Sequence, residues 1–360
     1  MKSVVERPMT RRAMLQLLAA APAVLGTTCG VLAAEPGQRT RLGVDMNSYA
    51  IRWSPSTPAE VRFKNVLELL DHCHQLGAAG VQAPADVWEA EFAARVRAKL
   101  DSSRMYLEGH IELPRDGSDL PRFEAVVEAA RRANVSVLRA VCLEGRRYET
   151  IETAQAWRDF LDRAWRSLTL AEPVVRKHRM RIAIENHKDW RVPELLEVLK
   201  RLGSEHVGVC VDIGNSIALL ENPMDVVEAY APHAFTSHLK DMGVQEYQDG
   251  FLLSEVPMGE GFLDLPKIIA TLQKANSRIH FNLEMITRDP LEIPCLTKRY
   301  WSSMEGVSGG RLAETLAMVR ANVSKKPLPH VTGLTQDQKI RFEEENVQKS
   351  FAFARSHLGL

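Results

Sequence analysis

From residue 40 onward the chain alternates short apolar runs with longer amphipathic stretches. Eight runs have strand length: RLGVDM (41–46), GVQAPA (80–85), YLEGHIEL (106–113), SVLRAVCL (136–143), MRIAIEN (180–186), VGVCVDIGN (207–215), AFTSHLKDM (234–242) and IHFNLEMI (279–286). Each is rich in Val, Ile, Leu or Phe, as buried strands are. Between them, stretches such as RFKNVLELLDHCHQLGA, RFEAVVEAARRANV and PELLEVLKRLG carry apolar residues at helical spacing. Gly77, Asn134 and Gly203 stand where helix C-caps belong. Eight strands alternating with helices predict a parallel (β/α)8 TIM barrel in one domain, 40–322. An open doubly wound sheet that binds a dinucleotide would show a GxGxxG turn after the first strand, and none follows here. Residues 323–360 read as a Pro- and Gly-punctuated connector and a last helix. Ile340, Val347, Phe351 and Ala354 form its apolar stripe, expected against the barrel's outside or another subunit.

In such a barrel, chemistry sits at the carboxyl ends of the strands. The fifth run delivers Glu185, the sixth Asp212, the seventh His238 and the eighth Glu284. One strand-end carboxylate alone is ordinarily solvated, paired with Arg or capping a helix, and one His is ordinarily hydrogen-bonded in place. Four at one height are different, because carboxylates converging on a barrel axis repel one another without a cation. Three oxygen donors and one imidazole favour Mn²⁺, Mg²⁺ or Co²⁺, with Zn²⁺ possible. Such an ion holds two neighbouring sugar oxygens and stabilises the enediolate formed when an adjacent C–H proton leaves. Glu185 and Glu284 are then the candidates to remove and return that proton. After His238, Lys240 and Asp241 the sequence reads as a long polar loop through Gly261.

The segments IAIENH, GVCVDIGNS, SHLKDM and FNLEM bring these residues at spacings of 27, 26 and 46. As a set they resemble the xylose isomerase-like TIM barrels, which include sugar isomerases, ketose 3-epimerases and hydroxypyruvate isomerases. The resemblance covers roughly 40–320 and implies Glu185, Asp212, His238 and Glu284 as metal ligands, with the two glutamates as acid and base. Three positions depart from the ketose 3-epimerase pattern: Asn215 stands where a His is usual, Arg191 where a Glu is, and Val244 where an Arg is. A trinuclear zinc endonuclease of the same fold would need many more histidines. HLKDM followed by YQDGFLLSEVPMGEGFLDL is similar to a branch of sugar-acid decarboxylases and 3-keto-sugar lyases. An isomerase or epimerase is the default expectation. A lyase, hydrolase or decarboxylase on 3-keto-glycosides or keto-sugar acids is the alternative. An inactive carbohydrate-binding barrel would be expected to have lost a ligand.

Four further residues are candidates for substrate contact. His110 ends the third strand, or is hydrogen-bonded under a loop. Arg147, beside Tyr148, follows the fourth strand and can grip hydroxyls or a carboxylate, or pair with Glu144 or Glu149. His187 lies two residues beyond Glu185, as support for the ligands or a proton shuttle. Lys240 is expected near the metal, binding a carboxylate or assisting proton transfer. Trp53 and Trp190 sit in loops, for sugar stacking or local packing. His72 and His74 lie on an amphipathic helix and read as structural.

The 46 basic and 46 acidic residues cancel, which argues against nucleic acid as a partner and leaves a small sugar or keto-sugar. Arg11 and Arg12 precede a short Ala- and Leu-rich run that ends at Ala33 and Ala34, as in a twin-arginine export signal over 1–34. That run is too short to span a bilayer, so a periplasmic or otherwise exported protein without stable membrane insertion is expected. Cys29 reads as part of the signal. Cys73, Cys142, Cys210 and Cys295 form no CxxC pair and read as core residues. A homo-oligomer is left open.

Overall fold

Every one of the eight apolar runs becomes a barrel strand. In the computed structural model, which describes residues 39–360, these are β1 (Leu42–Asp45), β2 (Gly80–Pro84), β3 (Tyr106–His110) and β4 (Leu138–Ala140). They continue with β5 (Ile182–Glu185), β6 (Val207–Asp212), β7 (Ala234–Leu239) and, after two further strands, β10 (His280–Leu283). The barrel closes in the order β1-β10-β7-β6-β5-β4-β3-β2, all parallel. Helices cover it from outside, as parallel strands buried on both faces require. In helix Val66–Leu76 the Asn65 side chain accepts the amides of Leu67 and Glu68, Leu69, Leu70 and Cys73 face the core, and Gly77 ends it at φ 85°. Gly203 ends helix Val192–Leu202 in the same way. Asn134 takes a positive φ one residue beyond the C-cap of helix Leu120–Arg132. Among the described residues Cys73, Cys142, Cys210 and Cys295 are free.

The barrel's lower interior is shaped by one aromatic ring. Tyr106 stacks on His280, with centroids 3.8 Å apart. A Cβ at Gly80 would lie 2.4 Å from that ring, and one at Gly43 would lie 2.1 Å from its hydroxyl. The two strands give up a side chain so that the ring fits.

The segment after His238 departs from the expected polar loop. It forms a hairpin, β8 (Asp241–Tyr247) and β9 (Gly250–Val256), to which β11 (Leu291–Ile293) adds on the β9 side, all antiparallel. Alternate residues explain it. Met242, Val244, Phe251, Leu253, Leu291 and Ile293 are buried in a second apolar cluster, with Ile217, Leu219 and Tyr300 beneath. The turn that follows is organised by Asp241, whose carboxylate accepts the amides of Met242, Gly259, Gly261 and Leu263 at 2.9, 3.0, 3.0 and 3.1 Å.

The last helix, Gln336–Phe353, begins with a Thr335/Gln338 capping box. Its buried face holds Val347 and Phe351 as expected, with Ala354 buried just past its end, but Ile340 is only half-buried, and Glu343, Asn346 and Ser350 complete the stripe. These polar residues grip loops at the barrel's mouth. Glu343 accepts the amides of Ile51 and Arg52 at 2.7 and 3.1 Å, and Asn346 donates to Thr287 Oγ1 at 3.0 Å. The Met258 amide donates to Ser350 Oγ at 3.2 Å. Among the described residues no helix is long and apolar enough to cross a membrane. The export-signal reading over 1–34 lies outside the described residues.

Candidate metal and active site

Strand geometry alone brings the four candidate ligands together. Glu185 and Asp212 are the last residues of β5 and β6, and His238 sits opposite Asp212 in the β6–β7 register. Glu284 directly follows β10, its amide bonded to the Leu239 carbonyl at 2.8 Å. One donor atom from each of the four lies within 4.8 Å of the others, and all four residues are buried. His238 Nδ1 faces Glu284 Oε2 at 3.5 Å, and Glu185 Oε2 and Asp212 Oδ2 each at 3.7 Å. That nitrogen is buried with no hydrogen-bond partner. An unpartnered imidazole nitrogen aimed into three carboxylates is a donor set that a hard divalent cation fits, with room left for substrate oxygens.

The shell around these four holds them in place. Asp212 Oδ1 accepts the amides of Gly214 and Asn215 at 2.9 and 2.8 Å, while Asn186 clamps the Asp212 backbone with two bonds of 2.8 Å. Asn47, from the loop after β1, donates to Glu284 Oε1 at 3.0 Å. Asn215, where a ligand His would stand in a ketose 3-epimerase, donates to Glu185 Oε1 at 3.1 Å and accepts from the Lys188 ammonium.

Two cations, the partly exposed Arg139 and the fully buried Lys240, sit directly on the carboxylates. Arg139, projecting from β4, forms a two-nitrogen contact with Glu185 Oε2. The Lys240 ammonium bonds Glu284 Oε2 and lies 2.6 Å from Asp212 Oδ2. Burial alone would raise both glutamates, but Arg139 on Glu185 and Lys240 on Glu284, each joined by the His238 imidazole, outweigh it and hold both well below the usual carboxylate range. Burial would likewise strip Lys240 of its proton, and the charges of Asp212 and Glu284 override it. Lys188 has no such carboxylate contact. Burial, then the neighbouring Arg288 and Lys240, brings it down to about 8. Burial also brings His187 down to about 4 against the pull of Glu185, and its Nδ1 is buried without a partner.

The remaining candidates divide. His110 bonds Asp45 Oδ2 at 2.7 Å and Gln82 Oε1 at 3.0 Å. It also lines, with Arg139, Arg115, Arg122, Cys142 and Glu144, a cavity of about 720 Å³ beside the cluster. Arg147 is a correction. Its guanidinium is fully buried, its two terminal nitrogens donating to the Asp189 and Ser303 carbonyls and Glu194 and its plane stacking on Trp157, while Nε has no partner. A loop arginine that anchors its own loop looks, in sequence, like one that grips a ligand. Trp190 is packed against Trp157 and Phe160, Trp53 against Phe63, and His72 bonds Tyr49 and Glu344. Arg139, Lys188, Gln82 and Glu108 escaped the sequence reading, although Arg139 and Gln82 are each a lone polar residue inside an apolar strand and Glu108 shares its strand with His110. That was the available signal.

The profile of the xylose isomerase-like TIM barrels matches residues 70–300 of this chain. A 3-oxo-isoapionate decarboxylase from Pectobacterium atrosepticum is 24% identical over 248 residues, which cover 66% of this chain and 84% of that protein. Among solved structures, a D-psicose 3-epimerase determined with D-fructose superposes with a TM-score of 0.58 at 13% identity, over 89% of this chain and all 100% of that one. A 3-keto-D-glucoside 4-epimerase from E. coli gives a TM-score of 0.52 at 14% identity, over 79% of this chain and 100% of that one. At such identities the structural matches establish the barrel and nothing finer.

Proposed function

The chain belongs to the xylose isomerase-like TIM barrel family, and from there we propose that it is a divalent-metal-dependent enzyme that enolises a keto sugar or keto-sugar acid. One observation carries this reading: the unpartnered Nδ1 of His238 among the carboxylates of Glu185, Asp212 and Glu284. These four residues would hold the ion, with Mn²⁺, Mg²⁺ or Co²⁺ favoured by the oxygen-rich set and Zn²⁺ compatible. When bound, such an ion polarises a substrate carbonyl and stabilises negative charge on its oxygen.

The isomerase or epimerase outcome needs Glu185 and Glu284 to exchange a proton with the substrate carbon. Arg139 and Lys240 weaken both as bases. The same cations favour a second outcome, decarboxylation of a β-keto sugar acid, which needs no base. The bond to the carboxylate breaks, carbon dioxide leaves, its electron pair forms the enolate, and a proton returns to carbon. Lys188, with its loosened proton, is the donor we assign. Arg139, Lys188 and Lys240 together also suit an anionic substrate, and the decarboxylase relative supports cleavage over isomerisation. The export signal over 1–34 belongs to the same proposal, and N-terminal sequencing of periplasmic protein tests it.

The test is proton NMR in D₂O with Mg²⁺-loaded protein and a panel of keto sugars and keto-sugar acids. Release of carbon dioxide with one deuterium left on carbon supports decarboxylation. Deuterium exchange without cleavage supports isomerisation or epimerisation. Binding without either reaction returns the protein to a carbohydrate-binding barrel and overturns the proposal.

A further inference from the structure

Beneath the candidate ligands, the barrel interior holds a buried polar chain that the proposed reaction does not use. Glu108 stands at its centre. Its Oε2 accepts from Thr236 Oγ1 at 2.7 Å, Gln82 Nε2 at 2.8 Å and Asn282 Nδ2 at 3.0 Å, while Oε1 meets His280 Nδ1 at 2.8 Å. Gln82 is the next link. Its Oε1 meets His238 Nε2 at 2.7 Å and His110 Nε2 at 3.0 Å. Both Gln82 and Glu108 are fully buried.

We propose that Glu108 and Gln82 are positioning residues that reserve the Nε2 hydrogen of His238, so that a cation entering the carboxylate cluster displaces the Nδ1 proton and meets that lone pair. The inference rests on the metal reading above and deepens it. An amide can be turned either way, so its orientation has to come from its neighbours. Here the neighbour on one side is a carboxylate oxygen, which takes only donors, and Gln82 must therefore present its NH₂ to Glu108. That leaves the amide oxygen facing the two imidazoles, and an oxygen there needs an N–H opposite it. His110 meets the demand independently, because the same Nε2 also faces Asp45 Oδ2 at 2.7 Å, a second acceptor. His238 has one way to comply while neutral: the hydrogen goes on Nε2 and the lone pair stays on Nδ1. The opposite tautomer would set two lone pairs against each other at 2.7 Å and turn an N–H into the cluster. A second hydrogen bond that orients a metal-bound imidazole typically changes metal affinity by roughly 10–100-fold.

Two measurements test it. In Zn²⁺-loaded protein labelled with ¹⁵N-histidine, His238 should carry its proton on Nε2, in slow exchange with water, with Nδ1 shifted by the metal. A His238→Asn spectrum assigns the signal among the 11 histidines of the chain. In Mn²⁺ titrations followed by EPR, Gln82→Met and Glu108→Gln should bind roughly 10–100-fold more weakly than wild type. Glu108→Gln acts without touching His238, by letting the Gln82 amide turn over. An Nε2 proton that exchanges rapidly with water in the wild-type protein, or an unchanged Mn²⁺ affinity in folded Gln82→Met, overturns the inference. If either variant fails to fold, the exchange rate of the wild-type Nε2 proton decides. Wild-type protein that binds no metal would instead sink the function proposed above, so the two failures are separable.

Discussion

Replacing Lys240 by Met separates the charge role of that lysine from its bulk. Its ammonium is fully buried, bonded to Glu284 and 2.6 Å from Asp212 Oδ2. Two unit charges at that distance attract by about 6 kcal/mol at an effective dielectric of about 20. Desolvation of the lysine takes back part of this, and removing one partner of a buried pair typically costs about 3–5 kcal/mol, because the other charges are left uncompensated. In metal-stripped protein, Lys240→Met should therefore lower the urea unfolding free energy by about 3–5 kcal/mol. A divalent ion supplies positive charge to the same two carboxylates. With saturating Mn²⁺ the loss should shrink to about 1 kcal/mol, and the variant should gain more from the metal than wild type does. The assay is equilibrium urea unfolding of both proteins with chelator and with Mn²⁺. An equal loss under both conditions would refute the reasoning, since it would mean that ion and lysine do not neutralise the same charges.

Two other predictions concern groups away from the ligands. Asp189 is buried, its Oδ2 has no partner, and burial pushes it up to about 7. A raised carboxyl helps the folded state below the unfolded value near 4 and loses that contribution as pH rises to 7. Asp189→Asn should thus gain stability relative to wild type across this window, by up to about 1.4 kcal/mol for each unit that the pH rises; a pH-independent difference between the two would contradict it. Asp241→Ala removes the acceptor for four amides of the 242–263 segment. The expected loss is about 2–4 kcal/mol, with new proteolytic cleavage between Pro257 and Leu263; an unchanged digestion pattern would show that the turn holds itself.

The barrel and its four central residues were readable because each strand is apolar until one residue that is costly to bury. Glu185, Asp212, His238 and Glu284 stand out for that reason, and strand register then brings them together without help from the loops. The hairpin was missed because β8 starts two residues after β7 ends, so one apolar stretch hides two strands of different sheets. Its Asp249-Gly250 pair was a legible turn signal. Its buried face, however, packs on Ile217 and Tyr300, contacts that no local pattern reveals. Arg147 and Arg139 show the limit from the other side. Arg147, a candidate for substrate contact, is held by its own chain, while Arg139, inside a strand and not singled out, sits on Glu185.

By the reading proposed above, His238 Nδ1 and three carboxylates hold one divalent ion. Electron spin echo envelope modulation of Mn²⁺-loaded protein tests it most directly, because the nitrogen of a bound imidazole modulates the echo. One Mn²⁺ per chain coupled to a single histidine nitrogen is expected, with that coupling gone in His238→Gln. Mn²⁺ bound without nitrogen coupling, or with coupling that survives His238→Gln, would contradict it.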